Sequence, residues 1–368
     1  MINWDVIRDL FPVAKQQTYF MTAGGGALPL PVLKAIQNRY ETVAQLGGRA
    51  FGENIQIMEH CREKIAKLIN ADKEHIAFIP HVSFGMNAIA QSLEPQNSVL
   101  IAKNDFGSTV LPWNNNGHNI HWVDSMQELL ETISNKNMNQ ISSIVTSFIH
   151  YGNGYKLPLE LIKEYCPDAN FIVNGTQGIG AFPIDVKKQK IDALICSCYK
   201  WLGCGEGIAF MYIHPDFFKK LQPSLVGWRS VESAMSFDGK CSFYNTARIF
   251  ELGWDNMTIF SGLDAALDLI NELSIPRISE RIQSLTNYLV EKIITINIPI
   301  KSDYPGSYRS GITLLGPFNN LEHVMKKLEE NNIWVTQRDG GIRISLHYFN
   351  NEDDIDHLVN VLSQIELS

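Results

Sequence analysis

A lysine directly after a short apolar segment is the most reactive candidate side chain in the sequence. Lys200 lies in the run ICSCYKWLGCGEG (residues 195–207), and a small hydroxyl residue, Ser197, precedes it. A protonated lysine is a weak nucleophile, but a position at the end of a strand in an α/β sheet can desolvate the amine and lower its pKa. Lys200 is therefore a candidate to form a Schiff base with an aldehyde. The alternative is a solvated loop lysine.

Two polar side chains upstream are placed to join this lysine. The sequence predicts a strand over Phe171–Val173 that ends at Asn174, with Gln177 three residues further on, and a second strand over Ala193–Cys196 that leads to Lys200. Open α/β sheets bind ligands in the crevice outside the carboxyl ends of their strands. We therefore expect Asn174, Gln177 and Lys200 to face one crevice.

This segment resembles the class V aminotransferases, the family of cysteine desulfurases, selenocysteine lyase and isopenicillin N epimerase. The family pattern is an aspartate, a glutamine three residues on, and a lysine further along the chain before a glycine-rich turn, and the sequence follows it except at the first position. The resemblance implies pyridoxal 5′-phosphate (PLP) as the cofactor and Lys200 as the Schiff-base lysine. It also implies that Gln177 hydrogen-bonds the cofactor's phenolic oxygen.

The resemblance assigns cofactor contacts in three further places. Val82, through its backbone, and Ser83 match the family's phosphate turn, in front of a helix that we predict to begin near Ser83. The amides at a helix N-terminus favour an anion. Ser197 is the expected second hydroxyl donor. Phe106, near the start of DFGSTVLPW, matches the aromatic residue that stacks on the pyridine ring.

Substrate recognition is expected from the two ends of the chain. Arg343, in GGIRISLHYFNN, resembles the family's C-terminal arginine signature, although Leu346 replaces the usual proline. A guanidinium grips a carboxylate with two parallel hydrogen bonds, so the resemblance implies that Arg343 binds a substrate carboxylate. Gly24 and Gly25, with Gly26, look like the family's substrate loop, in which missing side chains let the backbone approach a ligand.

The sequence departs from the family at Asn174, where the family has an aspartate that keeps the pyridine nitrogen protonated. An amide can accept from an N–H group or donate to a bare nitrogen, but it brings no charge that would raise the pKa of the ring, so we expect a weaker electron sink. Three explanations stay open. The chemistry tolerates a weak sink, as in racemisation, β-elimination or a stepwise transfer; the site is degenerate or altered; or Asn174, followed by Gly175, deamidates.

A homodimer with sites at its interface is also implied by the resemblance. The run ARIFELGWDN (residues 247–256) corresponds to the segment through which the family reaches the phosphate bound to the neighbouring subunit. Gly253 is followed here by Trp254, which lacks the hydroxyl of the usual threonine, so backbone amides would have to make that contact. Tyr199 stands where the desulfurases and selenocysteine lyase usually have histidine, and this resembles a kynureninase-like or epimerase-like subgroup.

These features predict a PLP enzyme that acts through Lys200 at the α-carbon of an amino acid or amine. Persulfide-forming desulfuration needs a mobile cysteine before the C-terminal arginine, and no cysteine follows Cys241. We therefore expect C–S or other β-lyase chemistry, or epimerase chemistry, with a class V aminotransferase proper as the alternative. Asn174 and Trp254 motivate a second hypothesis, a degenerate, non-catalytic PLP-fold protein that binds a ligand or partner.

The composition limits the partners. The chain has 368 residues, of which 45% are hydrophobic and 19% charged, as in soluble globular proteins. A net charge of −8 without a basic stripe argues against nucleic acid, and no segment approaches the roughly 18 uninterrupted apolar residues of a membrane span. The N-terminus reads as neither a signal nor a transit peptide, so we expect a cytoplasmic protein. Cys196, Cys198 and Cys204 lack the partners of a zinc site, and we expect no metal.

Strand signals alternate with helices from His75 to Ile213 and predict a mostly parallel seven-stranded sheet with helices on both faces. Long amphipathic helices, a few strands and a last helix follow. With the resemblance, this predicts the PLP-dependent transferase fold (fold type I). We expect residues 20–254 to form the large PLP-binding α/β domain, and residues 1–19 and 255–368 a smaller α+β domain.

Overall fold

The computed structural model describes residues 2–135, 140–233, 241–253, 256–302 and 304–365. Its helices are α1 (Trp4–Arg8), α2 (Pro12–Gln16), α3 (Leu30–Leu46), α4 (Phe51–Leu68), α5 (Val82–Ser92), α6 (Gly107–Asn115), α7 (Met126–Asn135), α8 (Glu160–Tyr165), α9 (Pro215–Phe218), α10 (Ile259–Leu273), α11 (Ile275–Thr295), α12 (Leu321–Glu330) and α13 (Glu352–Ser363). Of the helices described, none is long and apolar enough to cross a membrane.

The strands form a large central sheet and two small sheets. They are β1 (Thr18–Tyr19), β2 (Ile76–Ile79), β3 (Ser98–Ala102), β4 (Asn119–Val123), β5 (Ser143–Ser147), β6 (Asn170–Asn174), β7 (Ala193–Ser197), β8 (Ala209–Ile213), β9 (Ile312–Leu315), β10 (Ile333–Trp334), β11 (Thr336–Arg338) and β12 (Gly341–Ser345). The seven strands of the central sheet lie in the order β2-β8-β7-β6-β5-β3-β4. Only β8 runs antiparallel to its neighbours, so the predicted mostly parallel sheet is confirmed.

Side chains alternate between the two faces of the central sheet, as the pleat of a strand requires. On β6, Phe171 and Val173 belong to one buried apolar cluster together with α4, α7 and α10, whereas Ile172 belongs to a second cluster together with α5 and α6. Because helices cover both faces, the strands are apolar over nearly their whole length. The predicted helices on both faces are confirmed.

The C-terminal part carries a three-stranded antiparallel sheet in the order β11-β12-β9. The chain forms two short strands in succession here, β10, which pairs with β1, and β11, which pairs with β12. Arg8 in α1 binds both carboxylate oxygens of Asp354 at 2.7 and 2.8 Å, so the N-terminal segment is held against α13. The domain boundaries at residues 19/20 and 254/255 stay predictions.

A buried ion pair connects α4 with the central sheet. Arg62 Nη1 lies 2.6 Å from Glu251 Oε1, and these side chains are 0% and 2% exposed. The same carboxylate oxygen accepts the backbone N–H of Phe78 in β2 at 2.9 Å. Removing one partner of such a pair leaves a buried charge without compensation, which is more costly than the pair itself is favourable.

We expect Glu251→Gln to lower the free energy of unfolding by about 3 kcal/mol, since Arg62 would keep its charge in the core with only the partly exposed Glu59 left to pair with it. Urea unfolding of the cofactor-free protein measures this change. Asp124→Asn is the matched control, because its pair with Lys103 is exposed at the surface, where an ion pair contributes little to stability. Equal losses in the two variants would contradict the role given to the buried pair.

Candidate active site

A cleft of about 160 Å³ opens where β5, β6 and β7 end and where α5 and α6 begin. This edge of a parallel sheet is the one at which α/β proteins bind ligands. Seven of the residues predicted for the site line the cleft, namely Val82, Ser83, Phe106, Asn174, Gln177, Ser197 and Lys200. The other lining residues are His81, Ser108, Ser147, Tyr151, Thr176 and Tyr199.

Lys200 is the amine of this cleft. It follows β7 and is 7% exposed, with Nζ 5.6 Å from the ring centre of Phe106 and 5.5 Å from that of Tyr199. Burial, and next the positive charge of Arg343, lower the pKa of Lys200 to about 8. A substantial fraction of this amine is therefore unprotonated, and nucleophilic, near neutral pH.

Gly26 packs directly on the backbone that carries this lysine. Its N–H donates to the carbonyl oxygen of Tyr199 at 3.2 Å, and a Cβ at this position would collide with the carbonyl oxygen of Lys200. Only glycine leaves room for so close a contact. The glycine loop therefore has a packing role at Gly26 that the sequence did not reveal.

The side-chain amide of Gln177 has a fixed orientation. Trp201 Nε1, which can only donate, lies 2.8 Å from Gln177 Oε1, and Gln177 Nε2 donates to the carbonyl oxygen of Ala23 at 2.9 Å. The oxygen of the amide is thus engaged on the side away from any ligand acceptor. One N–H of Nε2 is left that can donate to an acceptor in the cleft.

The side-chain amide of Asn174 is fixed in the same way. The backbone N–H of Thr176 donates to Asn174 Oδ1 at 3.1 Å, and Asn174 Nδ2 donates to Thr109 Oγ1 at 3.0 Å. A backbone N–H can only donate, so the amide oxygen must point towards Thr176. The remaining N–H of Asn174 has no partner among the described residues.

Two helix N-termini meet at one side of the cleft. The hydroxyl oxygens of Ser83, in the first turn of α5, and Ser108, in the first turn of α6, lie 2.8 Å apart. The helix that we predicted to begin near Ser83 begins at Val82, and His81 caps it by accepting the N–H of Phe84 at 3.0 Å. Two positive helix ends with hydroxyl donors form a site for an anion such as phosphate.

Ser108 was missed by the sequence analysis. Its signal was the run that follows Phe106, in which a small hydroxyl residue opens a helix. Phe106 itself is 42% exposed, although it is aromatic, and its ring meets that of Tyr151 edge to face at 5.1 Å. A planar ligand stacked on Phe106 would cover this apolar surface.

Arg343 and the glycine loop lie beside the cleft and do not line it. Arg343 is 2% exposed and donates to the carbonyl oxygen of Tyr151 at 2.7 Å, while its Nε is buried without a partner. A Cβ at Gly24 would lie 3.5 Å from Nη2 of Arg343, whereas around Gly25 there is open space. Burial, and next the charge of Arg338, lower the pKa of Arg343 to about 10.

Arg343 thus has an unmet requirement for an anion. No carboxylate pairs with it among the described residues, although a buried charge is costly without a counterion. Its guanidinium is buried beside the cleft, next to the backbone of Tyr151, the hydroxyl of Thr336 and Gly24.

The predicted contact with a neighbouring subunit is not tested by this chain alone. Gly253 does not line the cleft and lies beside the indole of Trp228, where a Cβ would be 3.5 Å from Nε1. Trp254 lies outside the described residues.

None of the six cysteines lines the cleft. Ser197 faces the cleft, and its neighbour on β7, Cys196, points to the other face of the sheet, into the cluster with α4. Cys198 and Cys204 belong to that same cluster, and burial raises the pKa of the Cys196 and Cys204 thiols well above the ordinary value. Over the described ranges, no group of three or more His, Cys, Asp or Glu side chains could hold a metal.

The fold is that of PLP-dependent enzymes of fold type I. Solved structures of the cystine C–S lyase C-DES superpose with TM-scores of 0.89 and 0.86 at 21% identity, covering 98% and 96% of this chain and 99% of each C-DES chain. One has glycine covalently linked to the PLP cofactor, and the other holds the reaction product cysteine persulfide.

The chain belongs to the class V aminotransferase family, since the family model described as "Aminotransferase class-V" matches residues 18–358. It is 24% identical to the "Uncharacterized aminotransferase YcbU" of Bacillus subtilis (strain 168), over 97% of this chain and 96% of that protein. It is also 24% identical to a "Probable cysteine desulfurase" of Pyrococcus abyssi (strain GE5 / Orsay), over 98% of this chain and 97% of that protein. The resemblance stated from the motifs is confirmed.

The cofactor of this family is PLP, and the chemistry of the cleft fits it. The aldehyde of PLP would react with the unprotonated amine of Lys200. The N-termini of α5 and α6 suit its phosphate, and the apolar face of Phe106 suits its pyridine ring. The N–H groups left on Gln177 and Asn174 suit the ring's oxygen and nitrogen acceptors. The cleft thus offers one complementary group to each part of the cofactor.

The lowered pKa of Lys200 predicts how the cofactor-free protein captures PLP. Capture needs the neutral amine, so its rate should rise with pH to a midpoint near 8, below the roughly 10.4 of an ordinary lysine. Arg343→Gln removes a nearby positive charge and should move the midpoint upward. Stopped-flow absorbance at several pH values measures both effects.

Arg281→Gln serves as the control for this experiment, because its guanidinium pairs with Glu352 and does not contribute to the pKa of Lys200. A wild-type midpoint near 10 would show that Lys200 is not desolvated.

Proposed function

We propose that the protein is a PLP-dependent enzyme that acts at the α-carbon of an amino acid, with C–S lyase chemistry as its leading reaction. The observation that carries the proposal is the pairing of a buried lysine, whose pKa is lowered to about 8, with an arginine that has no carboxylate partner among the described residues. Arg343 lies near enough to Lys200 to lower its pKa. An α-amino acid carries an amine and a carboxylate on one carbon, so two such neighbouring basic groups suit it.

PLP, when bound, holds the amino nitrogen of a substrate covalently and withdraws electrons from its α-carbon, so that a bond to this carbon can break. The protein's residues then have distinct tasks. Lys200 takes or delivers the proton at the α-carbon, for which a pKa near 8 is well matched to neutral pH. Arg343 binds the substrate carboxylate and so fixes which bond at the α-carbon lies closest to Lys200.

Further contacts would hold the cofactor in place. The backbone of Val82 and the hydroxyls of Ser83 and Ser197 are proposed phosphate ligands, together with Ser108, which the structure adds to the set. Phe106 would stack on the ring. The Gly24–Gly25 segment would form the wall of the substrate site, since it borders Arg343 and leaves open space.

The position of the cysteines supports a lyase over a persulfide-forming desulfurase. Transfer of sulfur to the enzyme needs a thiolate that reaches the substrate's β-substituent, and no cysteine of this chain lines the cleft. Loss of a sulfur group by β-elimination needs no protein thiol. A relative named as a probable cysteine desulfurase is only 24% identical to this chain, so its activity does not carry over to this protein.

The remaining parts of the proposal rest on the family. A homodimer, and a contact of Gly253 and Trp254 with the phosphate of the neighbouring subunit, stay predictions. Epimerase and class V aminotransferase reactions would use the same lysine and arginine. They differ from the lyase reaction in the products that are released. A non-catalytic PLP-fold protein would lack covalent cofactor on Lys200.

The first test addresses Lys200 and Arg343. Borohydride reduction followed by peptide mass spectrometry should find the cofactor on Lys200, and Lys200→Ala should abolish both this adduct and the visible absorbance of a lysine-bound cofactor. Arg343→Gln should weaken alanine binding about 10- to 100-fold, because a hydrogen bond to a charged group contributes about 1.5–3 kcal/mol.

Ethylamine, which is alanine without its carboxylate, is the matched ligand for this test. Its affinity should not change in the Arg343→Gln variant, as measured by absorbance titration. An equal loss for alanine and ethylamine would mean that Arg343 supports the structure and does not bind the carboxylate.

The second test separates the reactions by their products from cystine and cysteine. β-Elimination expels the sulfur group and leaves a fragment that hydrolyses to pyruvate and ammonia in equal amounts. Sulfur transfer to an enzyme thiol instead yields alanine. We expect pyruvate and ammonia, no protein-bound persulfide, and unchanged turnover in Cys241→Ser. If the wild type forms alanine and Cys241→Ser does not, the lyase assignment is overturned. Formation of a D-enantiomer would identify an epimerase, and transfer of the amino group to a 2-oxo acid would identify an aminotransferase.

A further inference from the structure

A buried carboxylate lies behind the cleft without being part of its wall. Asp105 is 6% exposed and accepts three hydrogen bonds, from the backbone N–H of Phe106 at 2.6 Å, from the backbone N–H of Ser147 at 2.7 Å and from Ser147 Oγ at 2.5 Å. A carboxylate with this many donors has a firm orientation. Ser147 Oγ is therefore committed as a donor to Asp105.

This commitment sets the direction of a chain of hydrogen bonds. The hydroxyl oxygens of Ser147 and Thr109 lie 3.4 Å apart, and since the Ser147 proton goes to Asp105, Thr109 must be the donor between them. The oxygen of Thr109 is then left to accept, and it accepts from Asn174 Nδ2 at 3.0 Å. Each donor in the chain Asn174–Thr109–Ser147–Asp105 points towards the carboxylate.

The chain and Thr176 together leave Asn174 a single way to face a ligand. Oδ1 is held by the N–H of Thr176, and one N–H of Nδ2 is held by Thr109. What remains at the cleft wall is the second N–H of Nδ2, which is a donor. A protonated pyridine nitrogen is also a donor, so its N–H and that of Asn174 could not form a hydrogen bond with each other.

We propose that Asn174 donates this N–H to the pyridine nitrogen of PLP, that the nitrogen is bound without a proton, and that Asp105 is the positioning residue that fixes Asn174 in this orientation. The proposal rests on the proposed function only in assuming that PLP occupies the cleft. It assigns to Asp105 a role through Ser147 and Thr109 and no contact with the cofactor.

Asp105 does not replace the aspartate that is missing at position 174. Both of its oxygens accept hydrogen bonds from Phe106 and Ser147, and the side chain of Ser147 lies between the carboxylate and the cleft. The positive charge of Arg343, which lies near enough to Lys200 to lower its pKa, also disfavours an additional positive charge on a bound ring.

The test reads the protonation of the ring nitrogen directly. The holoenzyme is prepared with PLP labelled with nitrogen-15 in the ring, and its NMR resonance is compared with those of free PLP whose ring nitrogen is protonated or bare. We expect the wild-type resonance at the chemical shift of an unprotonated ring nitrogen. In Asn174→Asp, which offers a charged acceptor, we expect it to shift towards the value of a protonated ring nitrogen. A protonated position in the wild type would overturn the proposal while leaving the proposed function intact.

A matched pair of variants tests the hydrogen-bond chain. Thr109→Val removes the acceptor of Asn174 Nδ2 with little change of shape. We expect the ring-nitrogen resonance of PLP to move or broaden in this variant. Thr146→Val makes the same change at an equally buried threonine, whose hydroxyl bonds only the carbonyl oxygen of Ser147, and should leave the resonance unchanged. Identical resonances in wild type and Thr109→Val would overturn the role of the chain, whereas failure of PLP to bind the wild type would overturn both this proposal and the proposed function.

Discussion

Two buried basic side chains, Lys200 and Arg343, have no carboxylate partner among the described residues, and they determine the character of the cleft. The pKa of Lys200 falls to about 8 and that of Arg343 to about 10, because charge is costly where water is excluded and because each side chain has another cation nearby. A fold that keeps such groups buried gains stability when anions arrive. The N-termini of α5 and α6 extend the positive region. The cleft and its surroundings thus suit a ligand set with two anionic groups, such as the proposed phosphate and substrate carboxylate.

The strand ends explain why these groups meet. β5, β6 and β7 are adjacent and parallel, so Ser147 lies opposite Asn174 in the register, and Lys200 follows at the end of the next strand. The sheet is covered by helices on both faces and cannot bend easily, which holds these side chains at fixed separations. The floor of the cleft is therefore set by the backbone register more than by contacts among the side chains.

The sequence was enough to predict most helices and strands, and those site residues that a local sequence pattern identifies. Asn174 is the last residue of β6, Gln177 follows β6 and Lys200 follows β7, and these positions bring the three side chains to one edge of the sheet. Ser108 and Ser147 were missed because they join the cleft only through tertiary placement of a second helix and a neighbouring strand. Arg343 was predicted to bind substrate, but its place beside the cleft wall depends on Tyr151, which lies far away in the sequence.

The orientation of an amide is a further property that sequence does not carry. Asn174 could have offered its oxygen or its nitrogen, and the sequence left both open. The orientation is fixed by the backbone of Thr176 and by the hydroxyl of Thr109 in α6, so it depends on the packed structure. A donor at this position has a chemical consequence, because a bare ring nitrogen draws electrons from the α-carbon less strongly. Reactions that leave charge on this carbon suffer most. In the proposed C–S cleavage, a sulfur leaving group on the β-carbon would take that charge away as the proton passes to Lys200, so this reaction would depend less on the ring than transamination would.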